Sequence, residues 1–356
     1  MSAPMCMLAG YISDGTKGRD IAGLLLEALE LQEPYWGAHA TGIATINDGG
    51  LCLEKDKGHV ARVRKTTKIE SLEGAIGIAH SRYGIGFWRP ELNTKEKAHP
   101  FFDCKKRFAL MHNGDIANYK EIWAELEGRG HKFSSRSMES DGPAITDSEI
   151  AAHMLEEMLD GGKGVGEGLR QICSRFSGTF LLAVIHRDFP KTLWIANWHQ
   201  PLAVAQGDGE ALFTSYEIGL TGVRSELTRV FYPPKNSLIT LSPNSVEVRS
   251  LLPMRGVPRV KVDIEVLGEE IIKILQRKNE RDFSQLDRDL GNEGWGKALG
   301  ISPDESAAQR KDGIDIVREY IEALNRLVKQ GRVFQRIARR PEAGIEDTPR
   351  YSYRLA

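Results

Sequence analysis

Two hydrophobic periods alternate along the chain. Met7, Leu8, Ala9, Tyr11 and Ile12 form a short apolar run that predicts a strand over 7–12, and the polar, glycine-bearing stretch 13–18 then turns the chain. Ile21, Leu24, Leu25, Ala28 and Leu29 recur at helical spacing and predict an amphipathic helix over 19–32. Strand-like runs at 43–46 and 51–53 flank Asn47-Asp48-Gly49-Gly50, a hairpin signal. Further short strands are expected at 75–80, 108–111, 179–186, 193–196, 211–214, 229–232, 237–241 and 246–248. Helices are expected over about 117–127, 147–159 and 166–175; the second has acid in its first turn and Gly161-Gly162 at its end. Helices set among many short strands mean an α+β layered fold.

After about residue 256 the texture changes. Residues 262–290 and 312–330 read as charged amphipathic helices, and 332–337 and 351–355 as strands around a polar loop with two prolines. Two helices followed by strand–loop–strand resemble a winged-helix module. The expected organisation is a leader over 1–5, a main domain over 6–255 and a small C-terminal module over 256–356. From Arg326 to Arg354 there are eight Lys/Arg against three Asp/Glu. That excess suits nucleic acid, but the near-neutrality of the whole segment favours a solvated face of an interaction or dimerisation module.

Bulk properties narrow the choices. The 356 residues allow one large domain and one smaller one, and 41% hydrophobic content supplies real cores. A net charge of −1 gives no global pull toward nucleic acid or membrane. No apolar run approaches the ~18 residues of a membrane span, and no signal peptide is recognisable, so a cytoplasmic protein is expected. Cysteines 6, 52, 104 and 173 lack C-x-x-C spacing, which reads as neither a disulfide framework nor a zinc site. Gly161 to Gly168 fits neither G-x-G-x-x-G nor a phosphate loop and reads as a helix stop and linker. No metal and no cofactor are expected.

The chemistry gathers around Cys6. A cysteine in an apolar strand is usually a small buried hydrophobe. With the preceding residues removed, however, it carries a thiol and a free α-amine, a nucleophile and a base on one residue; an α-amine titrates near 7.7–8.0, about neutral pH. Three further pieces follow it: His80-Ser81-Arg82, His112-Asn113-Gly114 and Thr146-Asp147-Ser148-Glu149. In this order and at these intervals they resemble the class II glutamine amidotransferases, the N-terminal-nucleophile glutaminases. The resemblance covers about residues 6–252 and extends to Gly37…Thr41-Gly42-Ile43-Ala44, Ala98-His99-Pro100, Asn118-Tyr119 and Gln200-Pro201-Leu202.

The resemblance implies a four-layer αββα sandwich, two packed antiparallel sheets with helices outside. Cys6 would stand at the end of a central strand, facing a cleft covered by the 83–98 loop. It implies that Cys6 attacks the side-chain amide of glutamine through a thioester, while Asn113 and the Gly114 N–H hold the oxyanion. Arg82 would clamp the substrate carboxylate and Asp147 its ammonium, with Tyr83 and His99 beside them. Departures are the Met7 and Trp36–Gly42 variants, Ile85 where Thr is common, Tyr83 for a common Trp, and an insertion at 134–145. The expected function is a stand-alone glutaminase that gives glutamate, and ammonia for a separate synthase subunit. The residues after 256 are too few for a fused synthase and suit docking; a homo-oligomer is compatible with this reading. The competing reading is a non-catalytic glutamine sensor acting through the C-terminal module.

Overall fold

A computed structural model describes residues 5–48, 50–84, 90–139, 142–257, 260–311 and 316–356. Elements are numbered in chain order. One antiparallel sheet is built from β1 (Met7–Ser13), β2 (Ala40–Asn47), β3 (Gly50–Lys57), β4 (Ile76–Arg82), β11 (Ala203–Gly207), β12 (Glu210–Thr214) and β13 (Leu227–Phe231). Its order is β13-β11-β12-β1-β4-β2-β3. A second holds β5 (Phe101–Phe102), β6 (Phe108–Ile116), β9 (Gly178–His186), β10 (Leu193–Trp198), β14 (Ser237–Ser242) and β15 (Ser245–Ser250), in the order β15-β14-β10-β9-β6-β5. The fold is α+β, as expected.

The central strands β1, β2, β4, β9 and β12 are buried on two faces, which is why they read as continuous apolar runs. In β1, Leu8 and Ile12 point into a cluster with Ile76, Ile78, Met111, Leu181, Ala183, Ile185 and Ile195, residues of both sheets. The alternate residues Met7, Ala9 and Tyr11 join Ile21, Leu25 and Leu29 of α1 (Ile21–Trp36). On the second sheet Phe180, Leu182 and Val184 meet Ile122 of α3 (Tyr119–Gly128), Ile150 and Leu155 of α4 (Asp147–Asp160), and Leu169 of α5 (Val165–Arg175). Each such side chain, fully buried, contributes about 1.5–3 kcal/mol. A short α2 (Val60–Thr66) lies between β3 and β4, and the insertion at 134–145 forms a small hairpin, β7 (Ser137–Glu139) with β8 (Gly142–Ala144). Neither α2 nor β11 was expected from the pattern.

The segment after 256 departs from its expected outline. The single helix foreseen over 262–290 is two, α6 (Ile264–Lys278) and α7 (Phe283–Leu299), separated by β16 (Glu280–Asp282). Asn279 takes φ 65 and stops the first, and Asp282 forms a capping box with Gln285 that starts the second. Helices α8 (Pro303–Lys311) and α9 (Val317–Lys329) follow. The expected polar loop is instead a long hairpin. β17 (Val333–Glu342) and β18 (Ile345–Leu355) pair from Val333↔Leu355 to Glu342↔Ile345, with Ala343 and Gly344 at positive φ in the turn. The sheet order is β16-β18-β17.

This segment shares a core with the first sheet's helix. Tyr35 and Trp36 meet the Phe283 ring edge-on at 5.0 and 5.2 Å, and Tyr35 meets Tyr351 at 4.9 Å. Several of its basic residues pair within the segment: Arg332 with Glu269, Arg336 with Glu280, Arg326 with Glu265 and Glu322, and Arg350 with Glu342. Among the described residues no helix is long and apolar enough to cross a membrane.

Glu33 of α1 is buried and accepts bonds from Ser81 Oγ at 2.8 Å and Val60 N at 3.0 Å. Burial outweighs those two bonds and pushes its carboxyl up to about 8, from 4.5. The folded chain therefore holds a proton that the unfolded chain releases above 4.5, so stability present at low pH is lost as pH rises through 8. Glu33→Gln should flatten the fall in Tm between pH 5 and 9; an unchanged slope in thermal scans would refute the assignment.

Candidate active site

Antiparallel pairing sets the first contacts. β1 lies against β4 with Met7 opposite Ser81, so Arg82 and Tyr83 emerge beside Cys6. The Tyr83 N–H points at Cys6 Sγ, 3.4 Å away. From the other sheet Asn113 of β6 accepts the Cys6 backbone N–H at 2.9 Å through Oδ1. The Asn113 side-chain nitrogen is buried and finds no partner among the described residues, leaving a donor beside the nucleophile. Burial pushes the Cys6 thiol up to about 11, against the opposing pull of the Tyr83 N–H and Arg82.

The strand expected over 108–111 runs on through His112-Asn113-Gly114 to Ile116. Gly114 takes φ +124, and a Cβ there would fall 1.9 Å from the Thr179 carbonyl oxygen, so only glycine fits. Asp147 opens α4, and its carboxylate accepts the Ile116 N–H at 2.9 Å. That bond ties the helix start to the end of β6.

A cavity of about 230 Å³ gathers Cys6, Arg82, Tyr83, His99, Gly114 and Asp147. It is smaller than the roughly 300–1,000 Å³ of drug-sized pockets and suits a small metabolite. Asn113 adjoins the lining through its bond with the Cys6 nitrogen. Arg82 and Lys97 supply cations; Asp147, Asp115 and Glu139 supply carboxylates. Lys97 and Glu139 pair at 2.8 Å. Burial, with Asp147 nearby, raises the Asp115 carboxyl. Burial lowers the Arg82 guanidinium, with Cys6 and Asp147 working against it.

Three buried histidines stay neutral here, His99 and His112 in the wall and His80 behind it. His80 donates from Nε2 to the His112 carbonyl at 2.9 Å and is pulled down to about 3 by burial. His99 stacks on it at 3.9 Å and is also lowered by burial, as is His112, whose Nδ1 lies 3.0 Å from Ser148 Oγ. Lys97, His112, Asp115, Tyr119, Glu139 and Ser148 were not among the expected site residues. His112 and Ser148 sat inside quoted motifs; Glu139 sits on the 134–145 insertion, which no short pattern linked to the site. Ile85 and the middle of the 83–98 loop lie outside the described residues.

The Trp36–Gly42 departure has a structural counterpart. His39 accepts the Gly84 N–H at 3.1 Å through Nδ1, packs its ring on Tyr83 at 4.7 Å, and reaches Glu342 from Nε2 at 3.3 Å. Arg350 forks onto Glu342 at 2.6 and 2.9 Å, and its guanidinium lies 5.3 Å from the Tyr83 ring. A Cβ on Gly37 would stand 2.7 Å from Arg350 Nε. The Asn93 amide donates to the carbonyls of both His39 and Ala343. The tip of the C-terminal hairpin thus buttresses the segment that holds the Cys6 sulfur. Burial works the other way, but His39 and Arg350 keep the Glu342 carboxyl down at about 2.

A family model described as a glutamine amidotransferase domain matches residues 89–220. The chain is 34% identical over 250 residues to the glutamine–fructose-6-phosphate aminotransferase (isomerizing) of Thermosynechococcus vestitus, covering 68% of this chain and 36% of that protein. The enzyme of the same name from Pyrobaculum aerophilum is 33% identical over 205 residues, covering 58% and 32%. The chain thus spans about a third of the length of these curated relatives. Its fold is similar to that of the glutamine phosphoribosylpyrophosphate amidotransferase from B. subtilis, with a TM-score of 0.59 at 16% identity over 83% of this chain and 64% of that one. Fold and matched sequence define an α+β protein of the N-terminal-nucleophile amidotransferase type. The chain carries a class II glutamine amidotransferase domain.

Two outcomes follow from this geometry. With Met5 attached, alkylation of Cys6 by iodoacetamide should rise about tenfold per pH unit from 7 to 10, since only the thiolate reacts. A plateau near pH 8 in peptide mass spectrometry would contradict the raised thiol. Glu342→Gln leaves Arg350 buried without its counter-charge and should cost about 3–5 kcal/mol in denaturant unfolding; a loss under about 1 kcal/mol would show that the network is not structural.

Proposed function

We propose that the protein hydrolyses the side-chain amide of free glutamine. The observation that carries this is the convergence of Cys6, Arg82, Gly114 and Asp147 on one cavity, with Asn113 tied to the Cys6 nitrogen. Cys6 Sγ attacks the amide carbon. The α-amine of Cys6, once exposed, takes the thiol proton and passes it to the leaving ammonia, and water then releases glutamate from the thioester. The unpartnered Asn113 Nδ2 and the Gly114 N–H stabilise the oxyanion. Arg82 holds the α-carboxylate and Asp147 the α-ammonium, which selects a free amino acid over a peptide amide; Tyr83 and His99 shape the wall.

The two sheets with helices on their outer faces support the four-layer sandwich reading. The order α6–β16–α7–α8–α9–β17–β18, with β18 central in its sheet, supports the winged-helix reading of 256–356. Ammonia then passes to a separate synthase subunit that docks on this segment. The pairing of several of its basic residues within the segment weighs against nucleic acid. Four free cysteines suit a reducing cytoplasm.

One observation favours the sensor reading. Met5 is 4% exposed, its sulfur 3.9 Å from Tyr216 Oη, and while it is attached the Cys6 nitrogen is an amide. A chain retaining Met5 would bind glutamine without turning it over.

Intact mass and glutamine turnover of protein from its own host decide between the two. A chain beginning at Cys6 should release glutamate, lose all turnover in Cys6→Ala, and lose roughly 10²–10³ in kcat in Asn113→Ala. Arg82→Ala should raise KM by about 10- to 150-fold, the equivalent of roughly 1.5–3 kcal/mol for a charged hydrogen bond. A chain that starts at Cys6 and leaves glutamine intact would overturn the proposal.

A further inference from the structure

Away from the cavity, four side chains from three segments converge. Cys104 lies in the turn between β5 and β6, His131 follows α3, and His153 and Glu156 sit three residues apart on one face of α4. One donor atom from each falls within 4.8 Å of all the others. The two Nδ1 atoms are 3.3 Å apart. Cys104 Sγ lies 3.5 Å from His153 Nδ1 and 3.7 Å from His131 Nδ1. Glu156 Oε2 lies 3.4 Å from each of those nitrogens.

These spacings are those of a tetrahedron around an ion. With zinc–nitrogen and zinc–oxygen bonds near 2.0–2.1 Å and zinc–sulfur near 2.3 Å, tetrahedral angles put nitrogen–nitrogen and nitrogen–oxygen edges at about 3.3–3.4 Å and sulfur–nitrogen edges at about 3.5–3.6 Å. The outer contacts fit as well. His131 Nε2 faces Glu157 Oε1 at 3.4 Å; His153 Nε2 has the Glu149 carboxylate 3.8 Å away, near but beyond hydrogen-bond reach. A carboxylate on the far ring nitrogen is the usual support of a metal-bound histidine, fixing Nδ1 as the ligand. Glu149 is itself held by the N–H and hydroxyl of both Ser134 and Ser135. The Cys104 N–H donates to Glu156 Oε2 at 3.1 Å.

We propose that Cys104, His131, His153 and Glu156 bind one zinc ion. A thiolate, two imidazoles and a carboxylate form a borderline-soft, four-donor set that matches zinc better than the oxygen shells of calcium or magnesium or the square-planar preference of copper(II). Four protein ligands leave no open position, so the ion is structural. Binding replaces the thiol proton, which leaves to solvent. The ion staples the β5–β6 turn and the loop after α3 to α4, the helix that presents Asp147 to the cavity. The set was invisible to cysteine spacing, because its one cysteine is joined by residues from up to 52 positions away.

The test uses the full chain purified without chelators. Elemental analysis should find about one zinc per chain, and demetallated protein titrated with cobalt(II) should show intense tetrahedral d–d bands with a thiolate charge-transfer band. Cys104→Ser should abolish the charge-transfer band, and Cys104→Ser and His131→Ala should each weaken zinc binding at least tenfold in competition with a chromophoric chelator. Wild-type protein that neither carries zinc nor gives the tetrahedral cobalt spectrum overturns the proposal, even if both variants fail to fold. A Cys104→Ser protein with unchanged affinity and spectrum overturns it equally. Neither readout depends on glutamine turnover, so this site stands or falls separately from the catalytic reading.

Discussion

The hydrogen bond from the Cys6 nitrogen to Asn113 joins the two sheets at the point where chemistry would occur. Nothing local makes it. β1 and β6 belong to different sheets, and they come into register only because the apolar residues between the sheets pack as one layer. A void or overfilled site there would cost a few kcal/mol in stability and would also slide Cys6 along Asn113. The nucleophile's position is therefore a by-product of core packing, and that core is the constraint on which the cavity depends.

Around that contact, charge is arranged by burial. Cys6, His80, His99 and His112 are all held in their neutral forms because desolvation disfavours the charged ones. The formal charges left facing the cavity are those of Arg82 and Lys97 against Asp147 and its neighbouring carboxylates. That is a complement to a zwitterion, set in a background made electrically quiet. The raised Cys6 thiol belongs to a chain whose Cys6 nitrogen is an amide; an α-amine at the same position would stand where Asn113 already accepts its proton.

The C-terminal segment is joined to this site more closely than its different texture implies. Phe283 and Tyr351 sit against the last turn of α1, and Glu342 and Arg350 reach His39, which in turn holds Gly84 and the Tyr83 ring. A surface read as a separate docking module thus has a line of contact to the peptide that touches the Cys6 sulfur.

The sequence by itself determined the α+β class and most of the strands and helices of 6–255, and it singled out Cys6, Arg82, Tyr83, His99, Gly114 and Asp147, residues that the fold brings to one cavity, because each is a local property. Apolar periods mark buried faces, and Cys6, Arg82, Asn113-Gly114 and Asp147 each lie within a short recognisable motif. It misread elements where a single residue's conformation decides: Asn279 breaking a helix, or Ala343-Gly344 closing a hairpin where a loop was expected. Only the tertiary structure decided which distant residues meet. Lys97 and Glu139 at the cavity, His39 with Glu342 and Arg350, and Cys104 with His131, His153 and Glu156 are brought together across tens to hundreds of positions. Such pairings arise from the packing of whole layers, and no spacing rule along one segment encodes them.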